Sequence, residues 1–488
     1  MTPKTEKILL FVVFVFCLAM RLAFISQKNL WFDEVFSWHL SMNSFYEIIV
    51  RTSNDIHPPL YYFTLKIWNF IFGDSVASMR LLSALFTSAA IFFIYPVSRR
   101  IMNPLQSFLV IILYSISPLN LYYSQEVRMS AMNLFLNIGS VYFLLKLCDT
   151  KHDYHRIFKD RFSILYLIFT TAALYTHYFS FFILAGEVVY TIAVNRKETK
   201  QLIAYLYIYA GILLAYLIWI PELIAHMSRG QSWRTSQSLM QALDEYLYFA
   251  RDLNLGLYYY YTDYDMVRYI TYFIGFVLFV VLIGIIIKWF KTDNNAIYLI
   301  LLAFFVPLIL AGIISIKQKI EFYRYLSILV PYISILIVYG LFKWKYKVIS
   351  YLLLTVYMGI NVYGMNIHYS FNFKNDDYRE LIGQINKDYQ AGDKIYVEPH
   401  YYGWAIDYYK KQESLQIPKT AFVRYGWGEI LDSISTQKPQ RFWIVLDYGV
   451  TDTSQYSSYI NGLTQKYSLD YIMTYPLAPE KVELYRFK

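Results

Sequence analysis

The chain has 488 residues, of which 57% are hydrophobic and only 16% charged, and its mean hydropathy is +0.34. Soluble globular chains average about 45–50% apolar and about 25% charged, so a soluble enzyme, a disordered chain and a fibrous architecture are excluded in favour of an integral membrane protein. The net charge of +9 sits mostly in short clusters between apolar runs, where basic residues set orientation in the bilayer rather than bind nucleic acid.

The first apolar run, from Ile8 to about Phe24, follows Lys4 and Lys7. No small-residue cleavage site succeeds it, so it reads as a retained helix rather than a removed signal peptide. Further stretches near the length of roughly 20 residues that crosses about 30 Å of hydrocarbon lie at 76–97, 105–119, 129–147, 162–180, 181–195, 202–224, 269–290, 296–315, 326–342 and 348–368. The expected fold is mainly α, with about eleven spans over residues 1–369. Cys17 and Cys148 fall in or beside two of these runs and have neither disulfide nor metal-ligand spacing.

With the N-terminus in the cytoplasm, the inner loops hold Arg99, Arg100, Lys146, Arg196, Lys197 and Lys345 among other cations, as the positive-inside rule requires. The opposite side then receives the loops at 27–75, 120–127, 225–268 and 316–325 and everything beyond residue 369. Residues 370–488 change character. A polar helical pattern at 375–389, a Gly392-Asp393 turn, strands at 394–398, 441–447 and 471–475 and a helix at 455–467 predict a soluble extracytoplasmic α/β domain. The chain contains no GxGxxG, GxxxxGK[ST], GxSxG or HExxH pattern, which removes support for dinucleotide, P-loop, hydrolase and zinc-protease chemistry.

Polar clusters gather on that same side. The first loop carries Trp31-Phe32-Asp33-Glu34 and then Asn54-Asp55-Ile56-His57-Pro58-Pro59. Later segments carry Ser124-Gln125-Glu126-Val127-Arg128, Thr176-His177-Tyr178, Lys317, Lys319 and Tyr323-Arg324-Tyr325. Each has an ordinary structural explanation. Asp33 and Glu34 can cap a helix, Asp55 can open the proline turn or orient His57, and Arg128 can pair with Glu126. Arg324 can snorkel to the interface, and His177 can be a satisfied helix-end histidine. Their convergence offers chemistry that caps do not. A carboxylate can take a proton from an acceptor, while histidine and arginine hold a phosphate that departs with negative charge, which is glycosyl transfer from a lipid-phosphate sugar. The Trp233-Arg234 pair and the tyrosines 258–261 can stack on sugar or lipid, or form an aromatic interfacial belt.

The Asp33-Glu34 pair, the Asp55-x-His57-Pro58-Pro59-Leu60-Tyr61-Tyr62 string, the Ser124-Gln125-Glu126-x-Arg128 turn and Arg324-Tyr325-Leu326 together resemble the GT-C glycosyltransferases. The similarity is to the group of dolichyl-phosphate-mannose protein mannosyltransferases and the lipid A aminoarabinose transferase. It covers roughly residues 1–370. It implies a GT-C membrane fold, a polyprenyl-phosphate-linked monosaccharide as donor, an extracytoplasmic acceptor (protein, glycan or lipid) and inversion at the anomeric carbon. By motif position Asp33 is the base, and His57, Arg128 and Arg324 face the donor phosphate. Glu34, Asp55, Glu126 and His177 support the pocket. In the lipid A branch the position of His57 is typically lysine, so this chain departs from that branch. The scheme requires no metal and leaves room for a divalent cation beside Asp33 and Glu34. The expected setting is the lipid bilayer of a prokaryotic plasma membrane. The rival readings are a glycolipid transporter or flippase and a glycan ligase or polymerase using a lipid diphosphate.

Overall fold

The computed structural model describes residues 2–150, 154–229, 236–257, 262–289, 294–320, 322–371, 378–398, 403–412, 417–418, 422–423, 427–447, 456–476 and 481–488. The Trp233-Arg234 pair and tyrosines 258–261 lie outside them. The chain forms two compact units. One comprises residues 1–25, 40–73 and 77–371, and the other comprises residues 26–39, 74–76 and 372–488.

The first unit is helical. Among the described residues, six helices are long and apolar enough to cross a membrane: Val76–Ser98, Ser130–Leu147, Thr199–Arg229, Asp265–Gly284, Asn295–Lys317 and Lys347–Ser370. The stretch expected at 105–119 is a broken pair, Pro104–Ser115 and Pro118–Ser124, bent by 59°. Proline has no N–H to donate and disfavours helix in the residue before it, so Ser117-Pro118 interrupts the run. The helices Arg161–Leu174, Ser180–Asn195 and Ser327–Lys343 are apolar but shorter. Helix α1 (Pro3–Leu22) is tied into the bundle by Arg21, whose Nε donates to Thr87 at 3.1 Å and whose Nη1 donates to the carbonyls of Cys17 and Ser115 at 3.0 and 3.3 Å. An apolar core that includes Val110, Ile138, Leu144, Ile300, Ile335 and Val338 fills the space between helices. At Gly186 an added Cβ would lie 2.9 Å from the Leu302 carbonyl oxygen, so only glycine permits that helix contact.

The contacts sort the helix ends into two groups. At one end Glu6 meets Arg99 at 3.7 Å, Arg100 binds Asp149 through both carboxylate oxygens at 2.6 Å, and Asn294 donates to the Arg100 carbonyl. At the other, Gln125 Nε2 donates to the carbonyls of Arg21 and Ala23, His368 Nε2 meets Gln125 Oε1 at 2.9 Å, and the Tyr369 hydroxyl donates to Met20. The polar turn at 124–128 therefore belongs to the end opposite the basic loops.

The first long loop is not irregular. It folds into α2 (Phe32–Ser41), α3 (Phe45–Ser53) and α4 (Leu60–Phe72). A capping box joins Ser44 and Glu47 at the start of α3. Phe45, Tyr46, Ile49 and Val50 stay exposed on α3, as do Ile67, Phe70 and Ile71 on α4, the pattern of helices lying in a membrane interface.

In the second unit a five-stranded sheet has the order β2-β1-β3-β5-β4, with β1 Lys394–Glu398, β2 Phe422–Val423, β3 Phe442–Asp447, β4 Leu469–Pro476 and β5 Lys481–Phe487. Strand β1 runs parallel to both β2 and β3, while β5 is antiparallel to β3 and β4. Helices Tyr378–Asp388, Gly403–Gln412, Trp427–Gln437 and Tyr456–Thr464 alternate with the strands. On one face Tyr396, Ile444 and Tyr485 pack with Ile430, Ile434, Tyr456 and Ile460. Alternation along β1 produces this burial, since its even-numbered side chains share one face.

Candidate functional site

Sequence places Asp33 and Glu34 directly after the first span, and the structure puts them in the first turn of α2 within the second unit. There the N–H of Trp31 donates to Glu34 Oε2 at 3.3 Å, half of a capping box, and Glu34 is fully buried. Asp33 is half-buried, and its carbonyl accepts from the Ser37 hydroxyl at 2.9 Å. The helix amino end, where the backbone dipole stabilises negative charge, thus carries the half-buried carboxylate.

This helix is held by the C-terminal domain. Trp404 lies nearly parallel to Phe32 (ring centroids 6.2 Å apart, 18° between planes) and to His39 (4.6 Å, 13°). The Leu30 N–H donates to the Tyr409 hydroxyl at 2.6 Å. Asp74 joins both sides by accepting from Trp38 Nε1 at 2.7 Å and Lys411 Nζ at 2.6 Å. Burial of Asp74 works against its charge, but the hydrogen bonds from Lys411 and Trp38 outweigh it and hold the carboxyl below its usual range.

In the first unit two of the three predicted phosphate-facing residues meet. Arg128 Nη2 stands 3.5 Å from His57 Nε2, although 71 residues separate them. The His57 and His177 rings are 5.7 Å apart, and His177 lies 5.4 Å from Tyr325. Local structure explains the meeting. The N–H of Leu60, at the start of α4, donates to the Tyr175 carbonyl at 3.1 Å, which brings the Asp55–His57 segment beside residues 175–177. His177 Nδ1 accepts the Phe179 N–H at 3.1 Å, and Tyr325 stacks on Phe179 at 4.9 Å. Arg324 sits in the short helix Phe322–Tyr325 next to that stacked tyrosine. Glu126 is 1% exposed and Arg128 8%. The Glu126 carbonyl accepts from Ser83 at 2.6 Å, and Gln125 anchors the turn as described above.

A guanidinium can only donate hydrogen bonds. At 3.5 Å from Arg128, His57 Nε2 is placed to accept from the guanidinium as a neutral ring. Arginine and histidine N–H groups are also donors suited to phosphate oxygens.

Two residues were not singled out from sequence. His226 receives the Tyr178 hydroxyl on Nδ1 at 2.6 Å and meets the Ser53 carbonyl through Nε2 at 3.0 Å, clamping the end of α3 to the Tyr178 segment. Glu187, fully buried in Ser180–Asn195, accepts from Ser140 at 2.7 Å and Tyr166 at 2.8 Å. A lone acid within an apolar run was its visible signal. Donors from two other helices make it an interhelical clamp. Among the described residues, no group of three or more His, Cys, Asp or Glu side chains is gathered to hold a metal ion. A cavity of about 520 Å³ opens at the basic end, between Arg100, Asp149, Tyr205 and Asn294, and none of the predicted site residues lines it.

Residues 56–224, which include His57, Glu126, Arg128 and His177, match the family model described as dolichyl-phosphate-mannose-protein mannosyltransferase. No curated relative matches the chain in sequence. Among solved structures, ArnT from Cupriavidus metallidurans bound to undecaprenyl phosphate aligns with 99% of this chain and 98% of its own, at 12% identity and a TM-score of 0.58. Its apo form aligns over the same shares at a TM-score of 0.59 and 12% identity. The archaeal oligosaccharyltransferase AglB from Archaeoglobus fulgidus, in complex with an inhibitory peptide and a dolichol-phosphate, aligns with 90% of this chain and 69% of its own, at 10% identity and a TM-score of 0.52. The architecture expected from the motifs is therefore the observed one: a polytopic GT-C fold with a small C-terminal sheet.

Proposed function

We propose that this GT-C-fold chain is a membrane glycosyltransferase that moves one sugar from a polyprenyl-phosphate carrier to an extracytoplasmic acceptor, with inversion. The observation that carries the reading is the 3.5 Å approach of Arg128 to His57 at the end of the bundle opposite the basic loops. Both groups can donate hydrogen bonds to an oxygen placed beside them, and the polyprenyl phosphate leaving group offers such oxygens. The lipid phosphates bound by ArnT and AglB supply the chemical precedent.

In the proposed reaction Asp33 takes the proton of the acceptor hydroxyl as its oxygen attacks the anomeric carbon. The bond from that carbon to the phosphate oxygen breaks on the opposite face, and the electron pair leaves with the phosphate. His57, Arg128 and Arg324 stabilise the charge that grows there, while Glu126, Asp55 and His177 position them. Glu34 braces the turn that carries Asp33. No step uses a metal ion. The positive-inside rule favours an extracytoplasmic site, and the setting that goes with this reading is a prokaryotic plasma membrane.

The test is incubation of the purified protein with a panel of polyprenyl-phosphate monosaccharides, with free polyprenyl phosphate as readout. Release from one member supports the reading. Release only from lipid diphosphate oligosaccharides would make the chain a glycan ligase, and release from neither would remove the transferase assignment.

A further inference from the structure

Helix α3 ends at Ser53, so its last carbonyls lack partners within the helix and draw donors from elsewhere. The Ser53 carbonyl receives two. His226 Nε2 meets it at 3.0 Å, and Arg229 Nη1 donates to it at 2.6 Å. The two residues stand three apart in the helix Ile220–Arg229 and so share one of its faces. Arg229 is exposed and reaches Ser53 from solvent, where its charge complements the helix dipole. His226 is buried, and it alone of the two continues inward.

A carbonyl only accepts, so His226 serves Ser53 with a proton on Nε2, and in the neutral ring Nδ1 is then an acceptor. The Tyr178 hydroxyl supplies it at 2.6 Å, and the Tyr178 oxygen accepts in turn from Trp219 Nε1 at 3.1 Å. One directed chain of hydrogen bonds therefore runs from Trp219 through Tyr178 and His226 to Ser53. Its members polarise one another in the buried setting, which makes the chain stiffer than separate pairs.

This chain ends where the phosphate-facing residues begin. Asp55 and His57 lie in residues 54–59, between Ser53 and Leu60, and the Leu60 N–H donates to the Tyr175 carbonyl at 3.1 Å. Both ends of this short connection are thus tied to residues 175–178, one by a backbone hydrogen bond and the other through His226 and Tyr178. Between the two ties His177 holds its ring 5.7 Å from His57, and Arg128 Nη2 stands 3.5 Å from His57 Nε2. A loop fixed at both ends has less freedom left for a ligand to remove on binding.

We infer that His226 is a positioning residue of the lipid-phosphate site: by holding Ser53 to Tyr178 it sets the place of His57, while touching no reacting group itself. The inference rests on the transferase reading for the identity of the phosphate ligand. Glutamine offers an acceptor and a donor at a spacing close to that of the two imidazole nitrogens, so it can take over both hydrogen bonds. Alanine can make neither.

The experiment titrates undecaprenyl phosphate into the full-length protein in detergent, for wild type, His226→Ala, His226→Gln, Tyr178→Phe, His57→Ala and the double variant His226→Ala with His57→Ala. Thermal melting of each variant and release of polyprenyl phosphate from the donor panel by the wild type are measured in parallel. His226→Ala and Tyr178→Phe should each weaken binding by about three- to tenfold, the scale of one buried hydrogen bond, and His226→Gln should return it to within about twofold of wild type. In the His57→Ala background His226→Ala should cost nothing further, because it acts through that ring. Tyr178→Phe keeps the ring and carries the test alone if His226→Ala does not fold. Wild-type affinity in folded Tyr178→Phe or His226→Ala would overturn the inference, as would equal losses in His226→Gln and His226→Ala or an additive loss in the double variant. Binding that depends on His226 without release from any donor leaves the inference standing and removes the transferase reading. Release from a donor with binding indifferent to His226 does the reverse, and a wild type that binds no lipid phosphate removes both.

Discussion

Trp404 stacks on His39 with ring centroids 4.6 Å apart and planes 13° from parallel, which joins the C-terminal domain to the helix that carries Asp33. Phe32 on the same helix also lies along Trp404, so one indole braces both ends of α2. Trp404→Ala should lower kcat by about tenfold while leaving donor affinity within about twofold, since a misplaced base loses rate rather than ground-state binding. Trp404→Phe keeps a planar ring and should recover most of the loss. Equal losses in kcat and donor affinity would instead mark general unfolding.

The Arg128–His57 pair predicts coupling. Arg128→Ala should weaken donor binding by about ten- to hundredfold, the scale of a charge-assisted phosphate contact. His57→Ala should do so less, and the double variant should lose less than the sum because both groups act on one phosphate. Strict additivity in a double-mutant cycle, read by donor titration, would separate the two residues.

Two carboxyls of the second unit give opposite pH signatures. Glu398, raised by burial from its ordinary 4.5 to about 7, holds a proton in the folded state that the unfolded chain releases. The stability it contributes is therefore full below 4.5 and is lost as pH rises through about 7. Glu398→Gln should be more protected than wild type at pH 8, by about 2 kcal/mol at β1 and β3, and nearly equal to it at pH 4.5. Asp74 has the reverse sign: its lowered value means that its contribution is present at neutral pH and is lost as pH falls through the folded value. Amide exchange along β1, β3 and α2 as a function of pH measures both.

Much of the architecture was legible because membrane spans and buried strands leave simple patterns. The spans at 129–147, 296–315 and 348–368 lie within a few residues of Ser130–Leu147, Asn295–Lys317 and Lys347–Ser370, and strand Lys394–Glu398 has the bounds read there, although it is buried on both faces. The helices α2 to α4 were hidden because their apolar faces are short, aromatic and interrupted by Ser44 and Pro58-Pro59. Strands β2 and β5 escaped for different reasons. The first is two residues long, and the second, an interior strand between β3 and β4, carries Lys481, Glu483 and Arg486 among its apolar residues and so lacks the continuous apolar run that marks a buried strand. At the site, His57, Arg128 and His177 were legible as polar clusters at helix ends, but their meeting depends on the Leu60–Tyr175 hydrogen bond, which sequence does not display. The docking of Trp404 on α2 joins segments too far apart in sequence for any local signal.

The orientation can be checked without a substrate. In a background lacking Cys17 and Cys148, single cysteines at the exposed positions Ser44 and Ser457 should react with a membrane-impermeant thiol reagent in intact cells, and one at exposed Thr199 should not. The opposite pattern would place the carboxylates in the cytoplasm and favour a nucleotide-sugar donor.

Asp33 is the residue on which the proposed reaction turns. Asp33→Asn keeps the shape of the side chain and removes its basicity, so with the matching polyprenyl-phosphate sugar and acceptor, transfer should fall by about a hundredfold or more. Donor binding, measured in the same preparation, should persist. Near-normal transfer by a folded Asp33→Asn protein would contradict the assignment of the base and the mechanism built on it.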